Sequence, residues 1–460
     1  MSADTFSVRG KQVVVVGAAR SGIAAAELLL RRGARVTLQD VKTQIDEEER
    51  MRAAGVELEL GGHNESTLLA ADLIVLSPGV PAQQPALAAA RRLGVPMVGE
   101  LELASRWLRG RIVAITGTKG KSTTTTLTGR MLEASGRRVL VGGNIGRALS
   151  AQVDESTDDT IHVVEASSFQ LETTETLRPW IAVLLNFSPD HLDRHASVEE
   201  YAQAKARIFA NQAETDWAVL NADDVPALDL AGGVRAQRLL FSTTVSLAEG
   251  VAISGGVIGR RTGGTVQPLV PLSAIRLLGP HLVSDVAAAT AVASIVGVDG
   301  ASMTRAVSTF AGLEHALEPV AEIGGVRFVN DSKATNVDAA RRAIESFDEG
   351  LVVIMGGRFK GGSFRDLADA LAARHATVIA IGEASGLIHE AFADVVDVRD
   401  ASDMPSAVRT AFACAAPGRT VVLAPACASF DMFRDYADRG KVFKQEVRRL
   451  QDEFANTREQ

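Results

Sequence analysis

Short runs of consecutive apolar residues alternate along the chain with longer stretches of mixed apolar and polar residues. The first run is 13–16, and similar runs follow at 35–38 and 72–76. Apolar runs without polar alternation are typical of parallel strands that are buried on both faces. The Ala- and Leu-rich stretch 23–32 fits a helix that covers such a sheet. The first hundred residues therefore predict a small doubly wound α/β domain.

The same alternation occurs twice more, after new apolar runs. Segment 231–272 is different, because it is rich in glycine and short β-like pieces, which predicts hairpins at a sheet edge. The apolar stretch 286–298 is too short to cross a bilayer and predicts a core helix. The other strand candidates are 111–116, 139–141, 162–165 and 181–186 in the centre, and 326–330, 351–355, 378–381 and 420–424 near the end, before a polar helix at 441–456. We expect three α/β domains with bounds 1–98, 99–312 and 313–460.

Composition narrows the class of protein. The chain has 460 residues, of which 46% are hydrophobic and 23% charged, as in folded proteins. A net charge of −8 argues against a general binder of nucleic acid or anionic membranes, which needs a cationic surface. Two cysteines are too few for a disulfide framework, and residues 1–11 lack an apolar signal-peptide core. We therefore expect a cytoplasmic protein without a nucleic-acid or membrane partner.

The glycine-rich turn 117–122, with the sequence GTKGKS, follows the strand predicted at 111–116 and precedes a helix. Its glycines are closer together than in the common P-loop, but the physics is the same. Backbone N–H groups at a helix N-terminus surround phosphate oxygens, Lys121 meets the β- and γ-phosphates, and Ser122 ligates Mg²⁺. A generic strand–helix turn does not require Lys-Ser at its end. We therefore interpret this turn as a phosphate site.

A second glycine-rich turn, GAARSG at 17–22, also joins a strand to a helix. It resembles a dinucleotide-binding turn in which Ala19 replaces the middle glycine, and Asp40 lies where an acid can bind a ribose hydroxyl. A structural turn and a ligand loop fit these residues equally well. NAD is disfavoured, because the middle glycine normally lets the backbone approach the pyrophosphate.

Polar residues follow two further strands of the central domain. Glu165 ends the strand at 162–165, where a carboxylate is a natural ligand for ATP-bound Mg²⁺, although a solvated glutamate is the alternative. After the strand at 181–186, Asp190 and His191 can reach a metal or substrate, and His191 alone fits a core histidine equally well. By spacing alone, Lys205 is an ordinary exposed helical lysine.

In the last third, three polar loops follow three strands, at 330–336, 356–362 and 424–431. Because the carboxyl ends of parallel strands meet at one sheet edge, these loops predict a single crevice there.

With these residues assembled, the chain resembles the Mur ligases, the ATP-dependent amide-forming enzymes of peptidoglycan precursor synthesis. The motifs that carry the resemblance are TGTKGKST (116–123), GGNIG (142–146), SSFQLETT (167–174), DHLDRH (190–195), NDSKATN (330–336) and APACASFDMF (424–433). The resemblance implies a Rossmann-like UDP-sugar domain at 1–98, a central P-loop ATPase-type domain at 99–312 and a Rossmann-like amino-acid domain at 313–460.

The resemblance also implies residue roles. For the UDP-sugar these are Arg20, Ser21, Asp40, Ser77, Pro78 and Gly79, with Asn144 and His191 at the muramoyl-alanine end. For ATP they are Gly117, Thr118, Lys119, Gly120, Lys121, Ser122, Thr123, Asp285, Asp331 and Lys333. Two Mg²⁺ ions are implied at Ser122, Glu165, His191 and a carbamylated Lys205, and the catalytic set is Lys121, Glu165, His191 and Lys205. D-Glutamate is implied at Thr335, Lys360, Ser429, Phe430 and Tyr436.

The implied activity is the ATP-dependent addition of D-glutamate to UDP-N-acetylmuramoyl-L-alanine through an acyl phosphate, by a monomer. One alternative is a ligase of the same chemistry that adds L-alanine, a diamino acid, or glutamate to a folate. Another is a nucleotide-binding regulator without turnover. The hypothesis of a regulator is based on two departures from the family: Ala316 stands where arginine is common, and Asp285 stands where asparagine is common.

Overall fold

The computed structural model describes residues 6–191, 194–276, 280–310 and 312–458. The chain divides into two compact units, Met1–Ile275 with His281–Thr309, and Arg276–Pro280 with Phe310–Gln460. The first unit contains sheets of five and nine strands, and the second contains a sheet of six strands. The predicted α/β class is confirmed.

The first sheet has the strand order β3-β2-β1-β4-β5, and all its pairings are parallel. Its strands are β1 (Gln12–Val16), β2 (Arg35–Asp40), β3 (Glu57–Leu60), β4 (Leu73–Leu76) and β5 (Met97–Gly99). The helices are α1 (Arg20–Arg31), α2 (Glu48–Ala53), α3 (Glu65–Leu69), α4 (Pro85–Arg92) and α5 (Glu100–Ser105). The edge strands β3 and β5 were not predicted, because short edge strands need no continuous apolar run.

The second sheet has the order β14-β13-β12-β11-β10-β9-β6-β8-β7. Its strands are β6 (Arg111–Thr116), β7 (Val139–Gly143), β8 (Ile161–Glu165), β9 (Ile181–Leu184), β10 (Trp217–Asn221), β11 (Gln237–Ser242), β12 (Gly250–Ser254), β13 (Val257–Thr262) and β14 (Thr265–Pro271). The last three pair antiparallel, which confirms the hairpins expected in 231–272. The β9 strand ends at Leu184 rather than at 186, and β10 is an apolar run that the sequence analysis missed.

Helices cover both faces of this second sheet. They are α6 (Lys121–Ala134), α7 (Ser168–Leu171), α8 (Val198–Ala206), α9 (Val225–Leu230), α10 (Pro280–Val296) and α11 (Gly300–Ser308). Residues 286–289 and 291–293 of α10 are fully buried, so the expected core helix is confirmed. Within the described ranges, no helix combines the length and apolar character needed to cross a membrane.

The third sheet has the order β15-β16-β20-β17-β18-β19, and only β15 pairs antiparallel. Its strands are β15 (Glu318–Ile323), β16 (Val326–Asn330), β17 (Leu351–Gly356), β18 (Thr377–Ile381), β19 (Asp397–Ala401) and β20 (Thr420–Leu423). The helices are α12 (Val337–Glu345), α13 (Ala368–Ala372), α14 (Ser385–Phe392), α15 (Met404–Cys414) and α16 (Tyr436–Arg458). The last helix thus begins at Tyr436, earlier than the predicted residue 441.

Glu102 of α5 anchors the segment between the first two sheets. Its carboxylate accepts hydrogen bonds from the backbone N–H groups of Glu175, Thr176 and Leu177, at 2.9–3.1 Å. It also accepts from the Thr176 hydroxyl at 2.5 Å and pairs with Arg106 at 2.9 Å. Burial opposes ionisation, but the bonds it accepts, the Thr176 hydroxyl first, lower its pKa below the ordinary 4.5.

Replacing Glu102 with glutamine is expected to lower the free energy of unfolding by about 3 kcal/mol at pH 7, because buried donors lose a charged acceptor. The lowered pKa gives the carboxylate a stabilising effect above its unfolded pKa, and this effect is lost as the pH falls through the folded pKa. Urea unfolding midpoints at a series of pH values measure both effects. The difference between the wild type and Glu102→Gln should shrink below pH 4.5. A difference that stays constant with pH would contradict this assignment.

Candidate active site

The turn after β6 has the geometry of a phosphate-binding loop. Gly120 caps α6 with φ of +79°, a left-handed conformation that glycine adopts without strain. A Cβ at Gly120 would also lie 2.1 Å from Oδ1 of Asp285, so only glycine fits. Ser122 and Thr123 lie in the first turn of α6. The N-terminus of a helix favours an anion, because the helix dipole places positive potential there.

Two lysines converge on one carbonyl group of this turn. The Nζ of Lys121 donates to the carbonyl oxygens of Gly117 and Thr118, each at 2.9 Å. The Nζ of Lys205, from α8, donates to the same Gly117 oxygen at 2.7 Å. The structure therefore brings these two candidate catalytic residues together.

Lys205 is 1% exposed, so its interpretation from spacing as an ordinary surface lysine was wrong. Spacing could not reveal this, because α8 is buried through tertiary packing. Burial, together with the nearby charge of Lys121, holds the pKa of Lys205 well below 10.5. An uncharged amine is the form that reacts with CO₂, so this environment suits the carbamylation implied by the resemblance.

Glu165, at the end of β8, has one carboxylate oxygen available to a ligand. Its Oε1 accepts from Asn144 Nδ2 at 2.7 Å. Its Oε2 is buried and has no hydrogen-bond partner among the described residues. A buried orphaned carboxylate oxygen fits a ligand of Mg²⁺, which prefers oxygen donors. In the part of the chain that the structure describes, no three His, Cys, Asp or Glu side chains form a metal-binding cluster.

The segment after β9 lies along the phosphate turn. The N–H of Lys119 donates to Asn186 Oδ1 at 2.9 Å, and Lys119 pairs with Asp190 at 3.7 Å. His191 has φ of +56° and lies edge-on to Phe169, with ring centroids 5.1 Å apart. Two members of the 190–195 motif, Leu192 and Asp193, lie outside the described residues.

Asp285 of α10 lies against the start of α6, beside the phosphate turn. Its Oδ1 accepts from the Thr124 hydroxyl at 3.3 Å. Burial raises the pKa of Asp285 well above 3.8, against the opposing effects of Thr124 and Lys121. The buried carboxyl group thus favours its protonated form, which can donate a hydrogen bond as an asparagine amide does.

A cavity of about 390 Å³ lies at the carboxyl ends of the first sheet and beside β7. Its lining is Gly17, Ala19, Arg20, Ser21, Asp40, Val41, His63, Ser77, Pro78, Gly79, Val80, Gln84, Gly143, Asn144 and Gln170. Every residue that we assigned to the UDP-sugar lines this cavity except His191. The structure therefore brings these assigned residues together, although the two most distant of them, Arg20 and Asn144, are 124 positions apart in the sequence.

Hydrogen bonds hold the turn 17–22 in place at this cavity. Asp40 accepts from the N–H groups of Ala18 at 2.5 Å and Lys42 at 2.8 Å. The Ser77 hydroxyl donates to the carbonyl oxygen of Gly17 at 2.8 Å. A Cβ at Gly22 would lie 1.8 Å from that same oxygen, so the glycine that ends the turn is required for close packing.

Replacing Gly22 with alanine is expected to displace the turn, destabilise the protein by about 2 kcal/mol and weaken the binding of a uridine nucleotide. The matched control is Gly386→Ala in α14, where an added Cβ meets no atom within 4 Å. This control should be neutral or slightly stabilising, because alanine favours helices. Unfolding midpoints and calorimetric titration with UDP measure both effects. Equal behaviour of the two variants would argue against the packing role of Gly22.

Three polar residues of the cavity lining had no role assigned to them from the sequence: His63, Gln84 and Gln170. Gln170 is 2% exposed, and its Oε1 caps α7 by accepting from the Ser167 N–H at 3.0 Å. Its Nε2 has no hydrogen-bond partner among the described residues, so it is available to a ligand in the cavity. The signal was present in the motif 167–174, whereas nothing in the sequence distinguished His63 or Gln84.

In the second unit, the three polar loops meet at one edge of the third sheet, as predicted. Lys360 donates to the Thr335 hydroxyl at 3.4 Å. The N–H of Ala426 donates to the carbonyl oxygen of Ala334 at 2.9 Å, and Arg358 and Ala428 exchange backbone bonds at 2.9 and 3.0 Å. The loops at 330–336, 356–362 and 424–431 therefore lie beside one another at this edge, and the crevice between them stays a prediction.

The residues assigned to adenosine and D-glutamate lie on these loops. Asp331 accepts from the Leu317 N–H at 3.2 Å, and burial raises its pKa to about 7. The N–H of Lys333 donates to the His315 carbonyl oxygen at 3.0 Å. Ser429 is buried, whereas the rings of Phe430 and Tyr436 are exposed.

A buried arginine that the sequence did not single out joins two of the loops. Arg439 of α16 is 2% exposed and donates to both Ser332 oxygens, at 2.9 and 2.8 Å, and to the Cys427 carbonyl oxygen at 3.1 Å. Its position in a polar helix gave no signal of burial.

The three sheets define a multidomain α/β protein, in which the glycine-rich turn at 117–122 joins β6 to α6. The chain belongs to the Mur ligase family. Models of three family domains match it: the Mur ligase MurD-like N-terminal domain at 11–99, the Mur ligase middle domain at 115–293, and the Mur ligase, glutamate ligase domain at 317–427.

Curated relatives match nearly the whole chain. A UDP-N-acetylmuramoylalanine–D-glutamate ligase of Acidobacterium capsulatum is 47% identical, over 95% of this chain and 96% of its own length. The enzyme of the same name from Koribacter versatilis is 44% identical, over 97% and 99%. Among solved structures, the UDP-N-acetylmuramate–alanine ligase of Thermotoga maritima has a TM-score of 0.60 at 18% identity, covering 96% of this chain and 100% of its own. That last likeness concerns the fold alone.

Proposed function

We propose that this protein is an ATP-dependent ligase that joins D-glutamate to UDP-N-acetylmuramoyl-L-alanine in peptidoglycan precursor synthesis. The relatives of that name, at 44% and 47% identity over most of the chain, support this assignment. We assign the UDP-sugar to 1–98, ATP to 99–312 and the amino acid to 313–460.

The observation that carries the proposal is the position of Asn144. Asn144 lines the 390 Å³ cavity and also donates to Glu165, which pairs with Ile115 of β6, the strand that leads into the phosphate turn. A substrate held by its uridine diphosphate in the cavity therefore extends toward the phosphate turn. The reacting carboxylate of such a substrate is at the far end of the molecule from the uridine. This arrangement supports phosphoryl transfer from ATP to that carboxylate.

In the first step, a carboxylate oxygen of the substrate attacks the γ-phosphorus of ATP. The bond from that phosphorus to the bridging oxygen breaks, and ADP leaves with the bonding electron pair. Lys121 and the N–H groups at the start of α6 stabilise the charge on the transferred group. The product is an acyl phosphate, which has a better leaving group than the original carboxylate.

In the second step, the amine of D-glutamate attacks the acyl carbon. A tetrahedral intermediate forms and collapses with loss of phosphate, which leaves an amide. The incoming ammonium must first lose a proton, and we assign its acceptance to His191 or a neighbouring carboxylate. Thr335, Lys360 and Ser429 bind the amino acid, with the lysine charge facing its carboxylates, and Phe430 and Tyr436 complete the site.

We propose that Ser122, Glu165, His191 and carbamylated Lys205 hold Mg²⁺. When bound, Mg²⁺ neutralises phosphate charge. The orphaned Oε2 of Glu165 and the low pKa of Lys205 support these assignments. The adenosine of ATP is assigned to Asp285, Asp331 and Lys333.

The experiment that tests the function is phosphate release from ATP with UDP-N-acetylmuramoyl-L-alanine, with and without D-glutamate. Release that depends on both substrates is the expected result. Preferential use of L-alanine, L-lysine or meso-diaminopimelate would identify a sibling ligase instead. ATP binding without release for any acceptor would favour the regulator and direct attention to Ala316.

A further inference from the structure

Arg194 connects two segments that carry candidate residues of different sites. Its side chain donates to the carbonyl oxygens of Gly79 at 3.5 Å and Val80 at 3.1 Å, in the turn assigned to the UDP-sugar. Its backbone N–H donates to the carbonyl oxygen of His191 at 3.0 Å. One residue thus connects the wall of the cavity assigned to the UDP-sugar with the segment beside the phosphate turn.

The Arg194 side chain is held in this position by two further contacts. Its guanidinium pairs with Glu172 at 2.8 Å, and the two side chains are only 13% and 15% exposed. The same guanidinium lies 4.8 Å from the centre of the Phe169 ring. A shielded ion pair and a cation–π contact together restrict the rotamers of a long side chain.

An array of rings continues from Phe169 to the phosphate turn. Phe169 contacts His191 edge-on at 5.1 Å and stacks on His195 at 5.3 Å. His195 contacts Tyr201 at 5.2 Å, and the Tyr201 hydroxyl lies 3.2 Å from Oγ1 of Thr118. The contacts from the uridine turn to the phosphate turn are therefore continuous.

Within this array, His191 is the residue whose backbone conformation a ligand can bias. His191 has φ of +56°, a conformation that costs a non-glycine residue about 1 kcal/mol and persists only when its surroundings fix it. Its carbonyl oxygen accepts from the N–H groups of both Arg194 and His195. A ligand that stabilises this conformation from either end lowers the cost for a ligand at the other end.

We propose that Arg194 is a positioning residue that couples binding of the UDP-linked substrate at Ser77–Gly79 to binding of ATP at the phosphate turn. The proposal rests on the proposed function, because that function identifies the two ligands. The coupling is reciprocal, since each ligand must change the affinity for the other by the same factor.

The test is calorimetric titration of UDP-N-acetylmuramoyl-L-alanine into the protein, with and without a saturating, non-hydrolysable ATP analogue and Mg²⁺. In the wild type, the analogue is expected to tighten binding at least about fivefold. In Arg194→Met, this factor is expected to fall to within about twofold of unity. Glu172→Gln should reduce the factor in the same direction, because it releases the guanidinium. The matched control is Arg178→Met, which removes a pair with Asp216 of 2.7 Å in the same unit and should retain the wild-type factor.

If Arg194 had a merely structural role, its replacement would change the stability of the protein, or the affinity for the UDP-linked substrate both with and without the ATP analogue. The ratio of those two affinities would stay unaltered. Thermal unfolding verifies that each variant is folded. If Arg194→Met does not fold, the same titrations are made with Arg194→Lys and Glu172→Gln. An undiminished factor in the folded Arg194 variants, or no coupling in the wild type, would overturn the inference and leave the proposed function intact. Failure of the wild type to bind the UDP-linked substrate at all would refute the proposed function itself.

Discussion

Lys121→Ala is expected to lower ATP-dependent phosphate release by about 10³-fold, because the transferring phosphoryl group loses its positive partner. The Nζ of Lys121 lies at the phosphate turn, bonded to the carbonyl oxygens of Gly117 and Thr118. Both bonds go to the turn's own backbone, so the ammonium group stays at the turn to which we assign the phosphates of ATP. The measurement is steady-state phosphate release with all three substrates.

The comparison for this variant is Lys11→Ala, which removes an exposed lysine in the first unit and should leave turnover unchanged. Binding of UDP-N-acetylmuramoyl-L-alanine to Lys121→Ala should persist, because that ligand occupies a separate cavity. Turnover close to the wild-type rate would refute the assignment of Lys121. Loss of binding of the UDP-linked substrate as well would indicate that Lys121→Ala is misfolded. In that case phosphate release is measured on Lys121→Met instead.

Lys205→Ala is expected to reduce turnover by at least about 10²-fold and to recover in part when formate or acetate is added. If Lys205 is carbamylated, as we propose, the alanine leaves space in place of the carbamate, and a small carboxylate restores the missing anion. Burial at 1% exposure and the nearby charge of Lys121 lower the pKa of Lys205, which favours the uncharged amine that attacks the carbon of CO₂. The ammonium group first loses one proton; the nitrogen–carbon bond then forms as one carbon–oxygen π bond of CO₂ opens, and the nitrogen loses a second proton, so that a cation becomes an anion.

The specificity of this rescue is tested on Lys121→Ala, which lacks a cation and should gain nothing from added carboxylate. Carbon-13 NMR with labelled bicarbonate provides a second readout, since a carbamate signal is expected in the wild type and not in Lys205→Ala. An active Lys205→Ala variant, or a wild type without the carbamate signal, would return Lys205 to a structural role.

Local chemistry explains which parts of the site were predictable. The phosphate turn, Glu165 and the three loops of the second unit each follow an apolar strand, so sequence order alone placed them at carboxyl ends of strands. Edge strands such as β3 and β19 were missed, because their polar positions face solvent and break the apolar run. Gln170 lies in the motif 167–174, but only the cavity lining identified it as a candidate ligand-binding residue.

Periodicity, glycines that permit close approach and short contiguous motifs were enough to predict the α/β class, the phosphate turn and the family. The burial of Lys205 beside Lys121, the bond from Asn144 of the cavity to Glu165, and the two segments that Arg194 connects are visible only in the folded chain. Burial and hydrogen bonding bring together residues that are far apart in sequence, so no local pattern predicts them. The sequence around a lysine or an arginine in a helix does not indicate which residues pack against its side chain.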